Sequence, residues 1–411
     1  MEDEKQNNEK ATDKKTLTKE EFDARRIDMN KTKRRTVIGM LMFAGVLLAG
    51  CNVNVNIDDA AKQSGDSTAV KEYINEGVDT KCEITGYERY KGGPEGYFLS
   101  KGDKIAVISP SALPSRKQVD ATLEGLEKCG FIPVEGKYVC PETRTLDELI
   151  EDLEWALTDP DIRAIFCVRG GYGASEVMDT IPLDMIKEAE KPIIGYSDIT
   201  AYHSAWTTEG LLSIHACMSG TFGDFPEDCF DAQIHMMKGE IPSYKCETET
   251  QMIEGKAEGI LIGGNLSTFT ATLNTGYDST KIDEPYVLFI EEVGENIQHI
   301  HRYLTVLKHM GVLDRAQGII FGEWTELPAD GSGNFGAVRG EKFKSVADMI
   351  QREFLEDMDI PVAFDFPAGH GDVNYPLLMG EKVYLSVSDG SYTITWNNNT
   401  SICETGGGSY K

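Results

Sequence analysis

Pro192-Ile193-Ile194-Gly195-Tyr196-Ser197-Asp198-Ile199-Thr200 is the stretch that decides how this chain folds. The apolar run Pro192 to Ile194 predicts a short strand covered on both faces. Gly195 allows close passage of the backbone, and the run from Ile199 through Trp206 predicts a helix directly after the turn. Strand, sharp turn and helix in that order expose a serine hydroxyl above a sheet. The glycine usual two positions after such a serine is Ile199 here, so the turn alone fits equally a serine that caps the helix.

Reading outward from this turn, strand and helix alternate. Lys104 to Ile108 predicts a strand ending at Ser109-Pro110, Thr122 to Cys129 a helix, Phe131 to Val134 a strand and Leu146 to Leu157 an amphipathic helix. The strand Ala164 to Val168 runs into Arg169-Gly170-Gly171-Tyr172-Gly173. The expected class is α/β, with a mainly parallel sheet in an N-terminal nucleophile domain over residues 96–240. A polar, acidic break at residues 241–256 reads as a linker to a smaller C-terminal α/β domain over residues 257–396, with a tail at 397–411. That second domain opens with Gly259 to Ser267 and continues with the strand Val287 to Ile290. In the helix Ile297 to Met310, residues Ile297, Ile300, Leu304 and Leu307 share one face, and strands follow at Gly318 to Phe321, Val362 to Phe364 and Val383 to Val387.

The 411 residues hold 40 Lys plus Arg against 68 Asp plus Glu, a net charge of -28, which argues against a nucleic-acid partner. The first 35 residues depart from this balance, with 11 basic and 9 acidic side chains. Thr36 to Gly50 then carries no charge at all. As a helix it would span roughly 22 Å, short of the ~30 Å hydrocarbon core, so residues 1–51 read as an export signal. Leu48-Ala49-Gly50-Cys51 resembles a bacterial lipobox. Cys51 is then the lipidation site, residues 52–95 form a tether and lead-in, and the protein is expected on the extracytoplasmic face of the cell membrane, lipid-anchored. An uncleaved N-terminal anchor is the alternative.

Eight further cysteines show no C-x-x-C and no zinc-like pairing with histidine, so no metal is expected. Cys167, inside an apolar run, reads as a small buried hydrophobe. Cys82 with Cys403 is the candidate disulfide.

No phosphate loop, complete dinucleotide fingerprint or H-E-x-x-H motif occurs, and no cofactor is expected. A serine of ordinary acidity needs a base. Of the seven histidines, His299, His301, His309, His203 and His235 sit in helical runs where surface or filler roles suffice. His215 ends a short strand and could line a pocket. His370, in Pro367-Ala368-Gly369-His370-Gly371, lies in a glycine-flanked loop that would position a side chain rather than pack it, and it is the best base candidate. An orienting carboxylate should also end a strand, which Glu291 does; Glu292 competes, and strand alternation sends the two to opposite faces.

These residues carry a resemblance. Arg169 to Gly173, Ile194 to Thr200, Gly263-Gly264-Asn265-Leu266, Phe289 to Glu295 and Gly369-His370-Gly371 together resemble the LD-carboxypeptidase family, serine peptidases of the S66 type, from about Gly102 to Val387. The resemblance implies a Ser-Glu-His triad of Ser197, Glu291 and His370, with the nucleophile on the N-terminal domain and the other two on the C-terminal domain. It further implies release of a carboxy-terminal D-amino acid from an L-residue, as in peptidoglycan stem tetrapeptides. Within that reading, the amides of Asp198 and Gly171 are the oxyanion-hole candidates. Arg169 is the cation expected to bind the terminal carboxylate of the substrate, with a structural ion pair as its other explanation. This chain departs from its relatives at His215-Ala216-Cys217, where His-Gly-Pro is usual, and at Glu292, where Asp is usual. The expected partners are a muropeptide or other small peptide, the membrane through the lipid, and a second copy of the chain in a homodimer. Two other readings remain open: a microcin-immunity-like hydrolase of peptidyl-nucleotide conjugates, and a non-catalytic wall-binding lipoprotein.

Overall fold

The computed structural model describes residues 73–76, 80–92, 96–218, 225–328 and 337–396. The leader, Cys51 and Cys403 lie outside them. In chain order the strands are β1 (Tyr73–Glu76), β2 (Lys81–Arg89), β3 (Lys104–Ile108), β4 (Ile132–Glu135), β5 (Ile162–Cys167), β6 (Ile193–Gly195), β7 (Ser213–His215), β8 (Glu240–Glu247) and β9 (Gly255–Asn265). They continue with β10 (Tyr286–Val293), β11 (Ala316–Pro328), β12 (Ala337–Val338), β13 (Glu341–Lys342), β14 (Val362–Ala363), β15 (Leu377–Met379), β16 (Lys382–Ser388) and β17 (Ser391–Thr395).

The first sheet has the order β15-β7-β6-β5-β3-β4. Its five N-terminal strands are parallel, and β15 closes one edge antiparallel to β7. The strands are short and almost wholly buried, as runs without alternation require when helices cover both faces. Capping boxes start two of those helices: Ser115 with Gln118 before Arg116–Lys128, and Thr145 with Glu148 before Leu146–Thr158. The order reverses between β3 and β5, so the loops at their carboxyl ends open a crevice, the usual ligand position in such sheets. Ser109 to Pro114, Arg169 to Gly173 and Ser197 all lie at that end.

The second sheet is mixed and has nine strands, in the order β1-β11-β10-β9-β16-β17-β8-β2, with β14 also on β11. Strands β9, β10, β11 and β14 are parallel, and the rest are antiparallel. The helix Ile297–His309 buries Ile297, Ile300, Leu304 and Leu307 against β10 and β11, the face that its sequence periodicity marks. By strand count the C-terminal sheet is the larger of the two, not the smaller as expected. The difference arises because both segments read as connectors supply strands: the lead-in gives β1 and β2, and residues 241–256 contain most of β8. Neither shows a continuous apolar run: β2 leaves most of its side chains in contact with solvent, and β8, though largely buried, is broken by Pro242, Ser243 and Lys245.

Glu76 and Lys81 are five Cα steps apart, at most about 19 Å, yet they end β1 and begin β2 at opposite extremes of the strand path. Laid flat, eight strands at roughly 4.8 Å spacing would separate them by about 34 Å. The sheet is therefore strongly curled, and its two edges approach each other.

Cys82 is disulfide-bonded to Cys246, not to Cys403. The two are direct partners in the β2–β8 register, so sheet pairing brings together cysteines 164 residues apart. Closing so long a loop should make the bond stabilising by about 2–4 kcal/mol. Urea unfolding with and without reductant measures this: the midpoint should fall on reduction, and the Cys82→Ser/Cys246→Ser protein should show the lower midpoint in both conditions.

Candidate active site

Ser197 follows β6 and begins a single 3₁₀ turn, Ser197–Ile199, that leads into the helix Thr200–Thr208. Its φ of 66° lies in the left-handed region, where a non-glycine residue costs roughly 1–3 kcal/mol and persists only when its surroundings impose it. The surroundings here are polar and buried. The Asp198 carboxylate accepts from the Ser111 hydroxyl and, at 2.9 Å, from the Ala174 amide, which ties the turn to the loops after β3 and β5. On the helix side, His203 Nε2 lies 2.9 Å from the Gly195 carbonyl and Nδ1 lies 2.8 Å from the Ser213 hydroxyl. A carbonyl only accepts, so Nε2 carries the proton. Burial pushes the His203 imidazole down to about 4, which keeps it neutral.

The glycine loop after β5 lies against this turn. A Cβ on Gly170 would sit 2.8 Å from Ser197 Cβ, 3.0 Å from its hydroxyl and 3.2 Å from the Asp198 amide nitrogen. Gly170 is thus the residue pressed on the nucleophile, whereas a Cβ on Gly171 would meet Ala112. The exposed Arg169 guanidinium donates to the Leu113 carbonyl at 2.7 Å and makes no ion pair among the described residues. The structural ion pair that would explain it otherwise is therefore not formed there.

Glu291 lies near the end of β10, fully buried. Its Oε2 is 2.7 Å from His370 Nδ1, while Oε1 has no hydrogen-bond partner among the described residues. A carboxylate is an acceptor, so Nδ1–H donates and Nε2 is left as the free basic nitrogen. Burial pulls the His370 pKa down, but the Glu291 charge and hydrogen bond, with Glu292 and Glu326 behind them, outweigh it and raise the pKa above its ordinary value.

Glu292 points to the opposite face, as strand alternation requires, and accepts from Asn265 Nδ2 at 2.9 Å and from the Ser267 and Val293 amides at 2.8 Å each. Burial and then the Glu291 charge push it up to about 7.

Tyr196 connects the two halves. Its ring centroid is 4.8 Å from that of His370 and 5.9 Å from that of His215. His215 is wholly buried with neither ring nitrogen bonded among the described residues, held neutral by burial beside His203 and His370. It therefore packs behind the site instead of lining its mouth. The structure joins Glu291 to His370 directly and sets Tyr196, next to Ser197, on the imidazole. The half-buried Ser197 hydroxyl makes no hydrogen bond among the described residues. Catalytic hydrogen bonds are often long before substrate arrives.

The halves are docked through the Gly-Gly-Asn segment at the end of β9. The Asn265 amide donates to Thr200 Oγ1 at 3.0 Å, and a side chain on Gly264, at φ 131°, would collide with that same hydroxyl. Asn265 also caps the helix Leu266–Thr272. Sequence reading missed Ser111, the supporting role of His203, and Glu323, whose carboxylate accepts from the Gly371 amide at 2.8 Å. Only His203 carried a signal, being four residues beyond Ile199 and so one helical turn from the elbow.

Comparison with known proteins agrees with this architecture. Residues 105–216 match the LD-carboxypeptidase N-terminal domain, and residues 258–385 match the LD-carboxypeptidase C-terminal domain. The chain belongs to the LD-carboxypeptidase family, serine peptidases of the S66 type. It is 30% identical over 307 residues to a probable murein peptide carboxypeptidase of Bacillus subtilis, covering 71% of this chain and 91% of that one. It is 25% identical to the microcin C7 self-immunity protein of Escherichia coli, covering 72% and 94%. Among solved structures it shares its fold with muramoyltetrapeptide carboxypeptidase from Oxalobacter formigenes, at a TM-score of 0.62 and 21% identity over 71% of this chain and 97% of that one.

Gly264→Ala should cost about 2–3 kcal/mol, since it adds both strain at positive φ and a clash. Urea unfolding measures the loss; a wild-type midpoint would mean that the Thr200 contact yields without cost.

Proposed function

We propose that the chain is a lipid-anchored, extracytoplasmic serine LD-carboxypeptidase that removes the carboxy-terminal D-amino acid from peptidoglycan stem tetrapeptides. The observation that carries the reading is the buried Glu291–His370 hydrogen bond, with the ring of Tyr196, the neighbour of Ser197, 4.8 Å from the imidazole. His370 Nε2 takes the Ser197 proton as Oγ attacks the carbonyl carbon of the L-to-D peptide bond, and Glu291 holds the tautomer and stabilises the imidazolium. The imidazolium then protonates the departing D-amino acid nitrogen, leaving an ester on Ser197. Water, deprotonated by the same imidazole, attacks that ester and releases the shortened peptide as a carboxylate.

The amides of Asp198 and Gly171 are assigned to the oxyanion, a role supported by the closeness of Gly170 to the Asp198 amide. Arg169 is assigned to the substrate carboxylate, supported by its exposure and by guanidinium N–H groups that no described carboxylate occupies. The names of the relatives support a murein peptide as substrate. Lipidation at Cys51 rests on the leader sequence, and the Cys82–Cys246 bond supports an oxidising compartment.

Ser197→Ala should lower kcat roughly 10^4-fold on a muropeptide tetrapeptide, measured as released D-alanine, and near-normal turnover would discard the triad. Arg169→Ala should raise KM for the free-acid peptide but not for its amide. Equal effects on both would remove Arg169 from carboxylate recognition. A peptidyl-nucleotide conjugate in the same assay separates this activity from the microcin-immunity-like alternative.

A further inference from the structure

His370 is held between two carboxylates, and only one of them belongs to the triad. On one side, a Cβ on Gly369 would lie 3.1 Å from Glu291 Oε2 and 3.2 Å from its Cβ. On the other, a Cβ on Gly371 would lie inside contact distance of the whole Glu323 carboxylate. The glycine flanks of the histidine are thus the two places where acidic side chains close on the loop. Glu323 Oε2 accepts the Gly371 amide proton at 2.8 Å, and the Glu323 amide donates to the Ala368 carbonyl at 3.2 Å. One residue of β11 therefore grips the loop on both sides of His370. Asn374 Oδ1 adds a third tie at 3.2 Å to the Gly369 amide.

Glu323 makes no ion pair among the described residues. Its environment is acidic: Glu291 from β10 and Asp372 from the loop both disfavour its charge, while His370 favours it. Burial is the largest influence, and the carboxyl is pushed up to about 7. The groups whose charge or ring acts on His370 are Glu291 and, from the far face of β10, Glu292, then Glu323 and Glu326 from β11, the Tyr196 ring and His215. The imidazole and the Glu323 carboxylate attract each other when both are charged, so each favours the charged form of the other.

From this geometry we infer that Glu323 is a positioning residue for the base: it holds the His370 loop through Gly371 and contributes negative charge that favours the imidazolium formed during catalysis. The inference rests on His370 being the general base of the proposed reaction. The charge and the hydrogen bond are separable. Glu323→Gln keeps an acceptor for the Gly371 amide and removes the charge, whereas Glu323→Ala removes both.

Two readouts test this in the full chain. The first is turnover of a muropeptide tetrapeptide across pH. Glu323→Ala should lose about tenfold or more in kcat with KM within about twofold, the result of a displaced base. Glu323→Gln should lose less kcat than Glu323→Ala, because it keeps the tie to Gly371 and gives up only the charge that favours the imidazolium. Because loss of a neighbouring negative charge lowers the His370 pKa, its neutral form survives to lower pH and the acid limb of kcat/KM should move that way. The second readout needs no turnover: the His370 imidazole is titrated by NMR in Ser197→Ala protein, its signal assigned by disappearance in His370→Asn. Adding Glu323→Gln should lower that titration midpoint. An unchanged midpoint, or wild-type kcat in Glu323→Ala, overturns the inference. So does a Glu323→Gln protein as impaired and as destabilised as Glu323→Ala, which is what a purely structural carboxylate gives. If wild-type protein releases no D-amino acid while the midpoint still moves, the substrate assignment fails and the coupling of Glu323 to His370 stands.

Discussion

A single hydrogen bond in a wholly buried place, Glu291 to His370, sets the terms for the rest of the structure. A carboxylate without solvent is unfavourable unless its oxygens are occupied, and among the described residues one oxygen is bonded and the other is not. The arrangement gains most when the imidazole becomes cationic, which is the state the proposed reaction passes through. Around it the strands β9, β10 and β11 run parallel, so that Asn265, Glu291 and Glu323 emerge at the same end of the sheet.

The nucleophile side is built by the same kind of compensation. Ser197 keeps an unfavourable backbone conformation because Asp198 and His203 secure the residues around it, one through Ser111 and Ala174, the other through the Gly195 carbonyl. Close packing at Gly170 and Gly264 then brings the turn against the β5 loop and against the end of β9. The amide of Asn265 reaches Thr200, and the Asn265 side chain reaches Glu292, so the joint between the halves is also the joint between the two site segments. Two carboxyls close to Glu291, Glu292 and Glu323, are both pushed up to about 7, so the negative charge around His370 changes across neutral pH.

Much of this was legible in the chain itself. The buried strands β3, β5, β6 and β10 are apolar runs, and the helix Ile297–His309 has a clear buried stripe, because solvent exclusion on both faces or along one stripe leaves a composition that can be read. Alternation set Glu291 and Glu292 on opposite faces of the strand, and the family resemblance pointed to Glu291. Strands β1, β2 and β8 were not legible: they lie in the outer part of the sheet, alternate weakly and carry charge, and they read as connectors.

Sequence by itself determined the α/β class, the strand-turn-helix around Ser197, the glycine loop carrying His370 and the strand carrying Glu291, because each depends on contacts within a few residues. Tertiary structure alone decided that Cys82 meets Cys246, that Gly170 rather than Gly171 presses on the serine, that His215 is sealed behind the site, and that Glu323 stands beside the base. Those facts depend on sheet register and on the curl of a nine-stranded sheet, which bring together residues between 27 and 164 positions apart. No local pattern encodes such pairings, since each partner's neighbours are chosen for its own strand and not for the residue it will meet.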